Sequence, residues 1–214
     1  MANILLFLLG SLLLWLAVPR VLSNYELAIG NSAYELVAAG APMARASLER
    51  ARESRIAALA VLESGRTNKQ LGQVLLRDAL ERPWSDPERP VLLEQAVARL
   101  RRGLARDPAD LFAWYHLALA EWWRGRAAEA ATALAMSYRT GPYHPPLASD
   151  RARLAVALWP RLAPPARRRA TGEICRLAPG DRETLRRFAE SEGRLDVLEE
   201  IEKFSLCEST LAAN

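Results

Sequence analysis

The chain predicts an all-α fold: an N-terminal transmembrane helix followed by a domain of antiparallel helix pairs that repeat along the sequence. Three observations predict it. Ala96, Leu100 and Gly103 lie four and three residues apart on one face of a helix ending at Asp107-Pro108. Ala130, Leu134 and Ser137 repeat those offsets before Gly141-Pro142, each 34 positions after its counterpart. Between the two sets, Trp114, Leu117, Ala118 and Glu121 fall at i, i+3, i+4 and i+7, one face of a helix. Residues 4–22 are apolar except for Ser11 and Arg20 and, as a helix, would span about 28 Å, close to the thickness of a hydrocarbon core. A helix pair of this kind leaves an apolar face bare, so its neighbours must cover it.

In chain order, residues 1–23 read as an uncleaved signal-anchor. Val21 and Ser23 could serve as the small pair before a signal cleavage site, but no Lys or Arg precedes the apolar run and Pro19-Arg20 intrudes. Arg20 balances the N-terminal amine and the next basic residue is Arg45, so flanking charge leaves the orientation open. Residues 24–81 read as a membrane-proximal linker and a helical hairpin. The linker, Asn24 to Ala39, is expected to be partly helical and broken by Gly30 and Gly40. The first hairpin helix follows Pro42 and carries Leu48, Ile56, Leu59 and Leu62 until Ser64-Gly65, with Arg45, Glu49, Arg50, Arg52, Glu53 and Arg55 on its solvated side. Thr67 with Gln70 forms a capping box for the second, which places Leu71, Val74 and Leu75 on one stripe and ends near Glu81. Residues 82–207 form the repeat domain. Ser85 with Glu88 signals a helix from about Pro87 to Arg106, and the full repeat follows it. Pro145-Pro146 opens a helix with Leu147, Leu154 and Leu158, and Pro164-Pro165 opens one with Ile174, Cys175 and Leu177. Asp181 caps a helix carrying Leu185, Phe188 and Ala189, and Leu195 to Phe204 is the last. Residues 208–214 are a polar tail expected to fray.

The 34-residue pattern resembles the tetratricopeptide repeat. That pattern asks for a large residue early in the first helix, small residues where the helices cross and a proline closing the second. The chain offers Trp114, the small set Ala118, Ala130 and Ser137, and Pro108 with Pro142; Glu121 stands where an aromatic is usual. The stretches Asp107-Pro108-Ala109-Asp110, Ala113-Trp114, Thr140-Gly141-Pro142-Tyr143 and Leu158-Trp159-Pro160-Arg161-Leu162 look like a family of small membrane-anchored polysaccharide biosynthesis proteins, the VpsP-like family. That resemblance covers most of residues 70 to 180 and the apolar N-terminus. It carries no known catalytic residues. It implies a setting, exopolysaccharide synthesis or export in a Gram-negative envelope, rather than a mechanism.

Half of the 214 residues are apolar, enough for one helical domain with a core. Basic residues number 29 against 25 acidic, all Arg except Lys69 and Lys203, and they are spread along helices rather than gathered in one block, which gives nucleic acid no footprint. Cys175 and Cys207 could pair in an oxidising compartment, although two unlinked buried thiols is the plainer expectation. His116 and His144 sit in no HExxH, and there is no CxxC, Walker loop or dinucleotide glycine motif. No catalytic, cofactor or metal residues are therefore assigned. Phe112, Tyr115, Leu119 and Trp122 recur on the side of their helix that lines the groove in tetratricopeptide proteins, with His116 and Trp123 flanking them. This stripe is either a recognition surface for a partner helix or peptide, or core under flanking helices. Arg167, Arg168 and Arg169 invite an anionic polymer, against an ordinary solvated face.

The expected function is a membrane-anchored scaffold or adaptor that docks other membrane or envelope proteins of a polysaccharide assembly. It is held in the bacterial inner membrane by residues 4–22, with the soluble domain on the periplasmic side. Direct binding of acidic polysaccharide through Arg-rich helix faces is the alternative, and an enzyme of unrecognised type is the remote one.

Overall fold

The computed structural model describes residues 2–203, so Phe204, Cys207 and the 208–214 tail lie outside the described residues. The described chain is helical throughout: α1 (Ala2–Ala38), α2 (Arg45–Val61), α3 (Gly65–Glu81), α4 (Glu88–Arg106), α5 (Leu111–Trp123), α6 (Ala127–Thr140), α7 (Pro145–Ala157), a 3-10 turn (Trp159–Arg161), α8 (Pro164–Cys175), α9 (Pro179–Ser191) and α10 (Leu195–Lys203). It forms two compact units, divided between Pro108 and Ala109.

In the first unit the main departure from expectation is α1, one helix running through both Pro19 and Gly30. Pro19 removes a backbone donor, and the Arg20 guanidinium adds one in the same turn by donating to the Leu16 carbonyl. The stretch Leu8–Ala38, 31 residues, is long and apolar enough to cross a membrane. Its first part leaves Leu8, Leu12, Trp15, Val18 and Leu22 exposed. From Ser23 onward the helix instead buries a stripe of small residues, Ser23, Gly30, Ala33 and Val37, against α2 and α3. Gly30, expected to break the helix, is the contact point. A Cβ there would fall 2.1 Å from Ser54 Oγ and 2.9 Å from the Arg50 carbonyl oxygen. The helix stops at Gly40, whose φ of 65° lets its N–H reach the Val37 carbonyl while Ala41 N–H reaches Leu36. Ala33, Val37, Leu48, Ala51 and Val74 make the core between α1, α2 and α3, with Tyr34 and Met43 against it.

The charged side of α2 is not wholly solvated. Arg55 is fully buried and donates to Asn31 Oδ1 (2.8 Å) and Ser54 Oγ (2.9 Å), with its guanidinium 4.5 Å from the Tyr34 ring centroid. Asp78, also buried, accepts from Arg45 (2.8 Å) and Arg82 (2.9 Å) and ties α2 and the end of α3 together. The α3 cap lies earlier than expected: Ser64 Oγ, rather than Thr67, accepts the Thr67 N–H. Ahead of α4 it is Asp86, not Ser85, that accepts the Glu88 N–H, at 2.8 Å.

The helices pair α1 with α2 and α3 with α4. The hairpin expected from α2 and α3 is thus the weaker pairing, and a boundary after Glu81 would cut the α3/α4 pair. At Gly72 a Cβ would lie 2.6 Å from Leu100 Cγ, and at Gly103 it would lie 2.8 Å from the Gly65 carbonyl oxygen.

In the second unit α5 and α6 repeat this relation. Ser137, 34 residues after Gly103, touches the first residue of its partner helix as Gly103 does, its hydroxyl donating to the Leu111 carbonyl at 2.9 Å. Ala118 and Ala130 are fully buried in this pair. Helices α7 to α10 complete the unit around Leu154, Leu158, Ile174, Leu185, Ala189 and Ile201. Asp181 lies in the first turn of α9 rather than capping it; the cap position is Ala178. At the centre Arg151 and Glu173 form an ion pair with neither side chain exposed. Arg151 Nη1 also donates to the Gly141 carbonyl (2.7 Å), closing the C-terminal end of α6, and its guanidinium lies 4.6 Å from the Tyr138 ring centroid. Cys175 is one half of a disulfide, so the expectation of unlinked thiols does not hold for it.

Gly30→Ala should lower stability by about 1 to 3 kcal/mol, because the added carbon meets the α2 backbone, which no rotamer change relieves. Gly10, with nothing within 4 Å of a built Cβ, is the control. Thermal melts in mild detergent should show a drop of roughly 4 to 8 °C per kcal/mol for Gly30→Ala and none for Gly10→Ala.

Candidate docking surface

The aromatic stripe is carried by α5, whose first turn is set by Asp110: its Oδ1 accepts the Ala113 N–H at 2.9 Å. One side of α5, Ala113, Leu117, Ala118, Ala120 and Glu121, is buried. Glu121, standing where the repeat pattern wants an aromatic, has no exposed surface and pairs with Arg124 at 2.9 Å. Gly125, with φ 74°, then turns the chain into α6.

The predicted stripe divides. Tyr115 is buried, and burial pushes its hydroxyl pKa up. His116, Leu119, Trp122 and Trp123 are half-buried. Phe112 is 43% exposed and packs edge-on against the His144 ring, centroids 4.9 Å apart. This contact joins the stripe to the Tyr-His-Pro-Pro turn before α7, which spacing along one helix cannot reveal. Tyr143 in that turn is 40% exposed and has the Arg176 guanidinium 5.3 Å from its ring centroid. His144 Nδ1 is buried with no hydrogen-bond partner among the described residues. The accessible feature is therefore Phe112, His144 and Tyr143, with Trp122 and Leu119 further along α5.

Ala96, Leu100, Gly103, Leu117, Ala118, Ala130, Leu134 and Ser137 are buried, Trp114 is half-buried, and Pro108 and Pro142 are exposed in the turns. In the Arg triplet, Arg168 and Arg169 are exposed, while Arg167 donates to the Trp159 carbonyl at 3.1 Å. Among the described residues there is no group of three or more His, Cys, Asp or Glu that could hold a metal ion.

No protein-family model matches the chain, and no curated protein or solved structure is similar to it at a significant level. The fold defines the class: a helical-hairpin protein with one N-terminal helix long and apolar enough to span a membrane.

His116 carries a pH dependence. Burial of its ring holds the pKa down to about 4, with Asp110 pulling the other way. The folded value lies below that of an unfolded histidine, so the unfolded chain binds the extra proton. Stability from this group is present above about pH 6.5 and is lost as pH falls towards 4. Between pH 7 and pH 5, denaturant unfolding should weaken by roughly 1 to 2 kcal/mol more in the native chain than in His116→Gln.

Proposed function

We propose that the chain is a single-pass inner-membrane scaffold whose helix pairs dock another envelope protein, in exopolysaccharide synthesis or export. The tetratricopeptide-like character rests on the 34-residue offset, which coincides with the equivalent close approaches of Gly103 to Gly65 and Ser137 to Leu111. The pathway rests on resemblance to the VpsP-like family. An uncleaved anchor is supported by α1, which carries the Val21/Ser23 pair through the middle of a helix rather than in the extended form a protease needs. A periplasmic position for the soluble domain is supported by the Cys175 disulfide, a bond that persists in oxidising compartments.

The observation that carries the docking role is the exposed ring of Phe112 beside His144 and Tyr143. Aromatic rings held rigid against a neighbour and left open to solvent are the usual anchors of an interface. The alternative, binding of acidic polysaccharide, is favoured by Arg161, Arg168 and Arg169, which are exposed and form no ion pair among the described residues.

Purification from membranes in mild detergent distinguishes the two. A docking scaffold retains its partner as the native chain and loses it as Phe112→Ala/Trp122→Ala, with helicity and melting little changed. A polymer binder keeps its ligand in that variant and releases it in salt or as Arg168→Gln/Arg169→Gln. Retention of a protein partner by the folded aromatic variant would remove the stripe as the docking face.

A further inference from the structure

The first unit folds back and forth along α1, and the contacts fix which end of it meets a membrane. Ser23 Oγ donates to the Ala58 carbonyl (3.1 Å), while Gly30, further along α1, meets Ser54, earlier in α2. Helix α2 is therefore antiparallel to α1 and ends level with Ser23, where the exposed apolar stretch of α1 gives way to buried packing. Helix α3 starts from that end, and α4 returns to it. Arg106 Nη1 donates to the Glu63 carbonyl (2.9 Å), Arg99 Nη1 to Asn68 Oδ1 (3.3 Å), and Gly103 lies over Gly65.

This end gathers Arg66, Lys69, Arg99, Arg102 and Arg106 from two helices. The carboxylates beside them are Glu63, 4.0 Å from Arg102, and Asp107, paired with Lys69. Among the described residues the ion pairs at this end include those of Arg102 with Glu63 and of Lys69 with Asp107, and Arg66 is exposed with no ion pair or hydrogen bond from its side chain. The opposite end of the unit is different: Arg45, Arg52, Arg77 and Arg82 there are matched by Glu49, Asp78, Glu81, Asp86 and Glu88.

We propose that this basic end seats on the phosphate layer of an anionic membrane leaflet. The inference rests on reading α1 as the membrane span. With the apolar run 4–22 in the hydrocarbon, the turn between α2 and α3 and the last turn of α4 stand at headgroup depth. Clustered Arg and Lys beside a span are attracted to acidic lipids and released by salt.

The full chain is reconstituted into nanodiscs of phosphatidylcholine alone or with added phosphatidylglycerol, and amide hydrogen exchange is followed across residues 62–69 and 99–107. The proposal expects exchange there to slow several-fold in the anionic discs, to recover in high salt, and to be indifferent to lipid charge in Arg66→Gln/Arg102→Gln. Residues 77–88 should not respond. Equal exchange in both discs, or a lipid effect that survives in the variant, overturns the proposal. A soluble polyuronate giving the same protection in neutral discs overturns it in favour of a polymer site. A chain that enters neither disc removes the spanning reading, and that failure is seen before any exchange is measured.

Discussion

Helix pairs in this protein approach where one partner has almost no side chain, and most of the architecture depends on that constraint. Gly30 meets Ser54, Gly72 meets Leu100, Gly103 meets the first carbonyl of α3, and Gly141 leaves room for Leu111. At Gly30 and Gly103 an added carbon would press on main chain, the Arg50 and Gly65 carbonyl oxygens, whereas at Gly72 and Gly141 it would press on the Leu100 and Leu111 side chains. The 34-residue offset is this constraint written twice: Gly103 and Ser137 occupy the last turn of the second helix in their pairs, against the first turn of the partner.

Buried charge is the second organising feature. Arg55, Asp78, Glu121, Arg151 and Glu173 have almost no exposed surface. Arg151 serves several groups at once, pairing with Glu173, capping α6 and lying beside the Tyr138 ring. Burial pushes the Glu173 carboxyl up, and the neighbouring guanidinium opposes that push. Such a pair adds little net stability over an apolar substitute, but losing one partner strands the other, so it selects one arrangement of α6, α7 and α8.

The legibility of the fold follows from these two features. The start and stop signals placed most helices correctly, because proline and glycine act through local backbone geometry that needs no tertiary context. Gly30 was misread for the converse reason: a glycine that admits a neighbouring helix and one that ends its own look alike in one dimension. Arg55 likewise sits among Arg52, Glu53 and Ser54, where spacing cannot separate a solvated face from one covered by an earlier helix. The aromatic stripe was legible only as far as it stays on α5. Phe112 and Trp122 share a helix face by periodicity, but Tyr115 is turned inward, and His144 and Tyr143 lie beside Phe112 through a turn some thirty positions later.

Helix α1 has a further consequence. An apolar helix of 31 residues rises about 46 Å, well beyond the roughly 30 Å a bilayer core accepts, so apolarity alone leaves it free to slide. The packing of Ser23, Gly30, Ala33 and Val37 on α2 and α3 removes that freedom, because drawing the helix deeper would strip those residues from their partners. Were α1 to span a bilayer, the hairpin would act as a depth gauge. The folded unit, rather than the hydrophobic length, would then decide where the lipid ends.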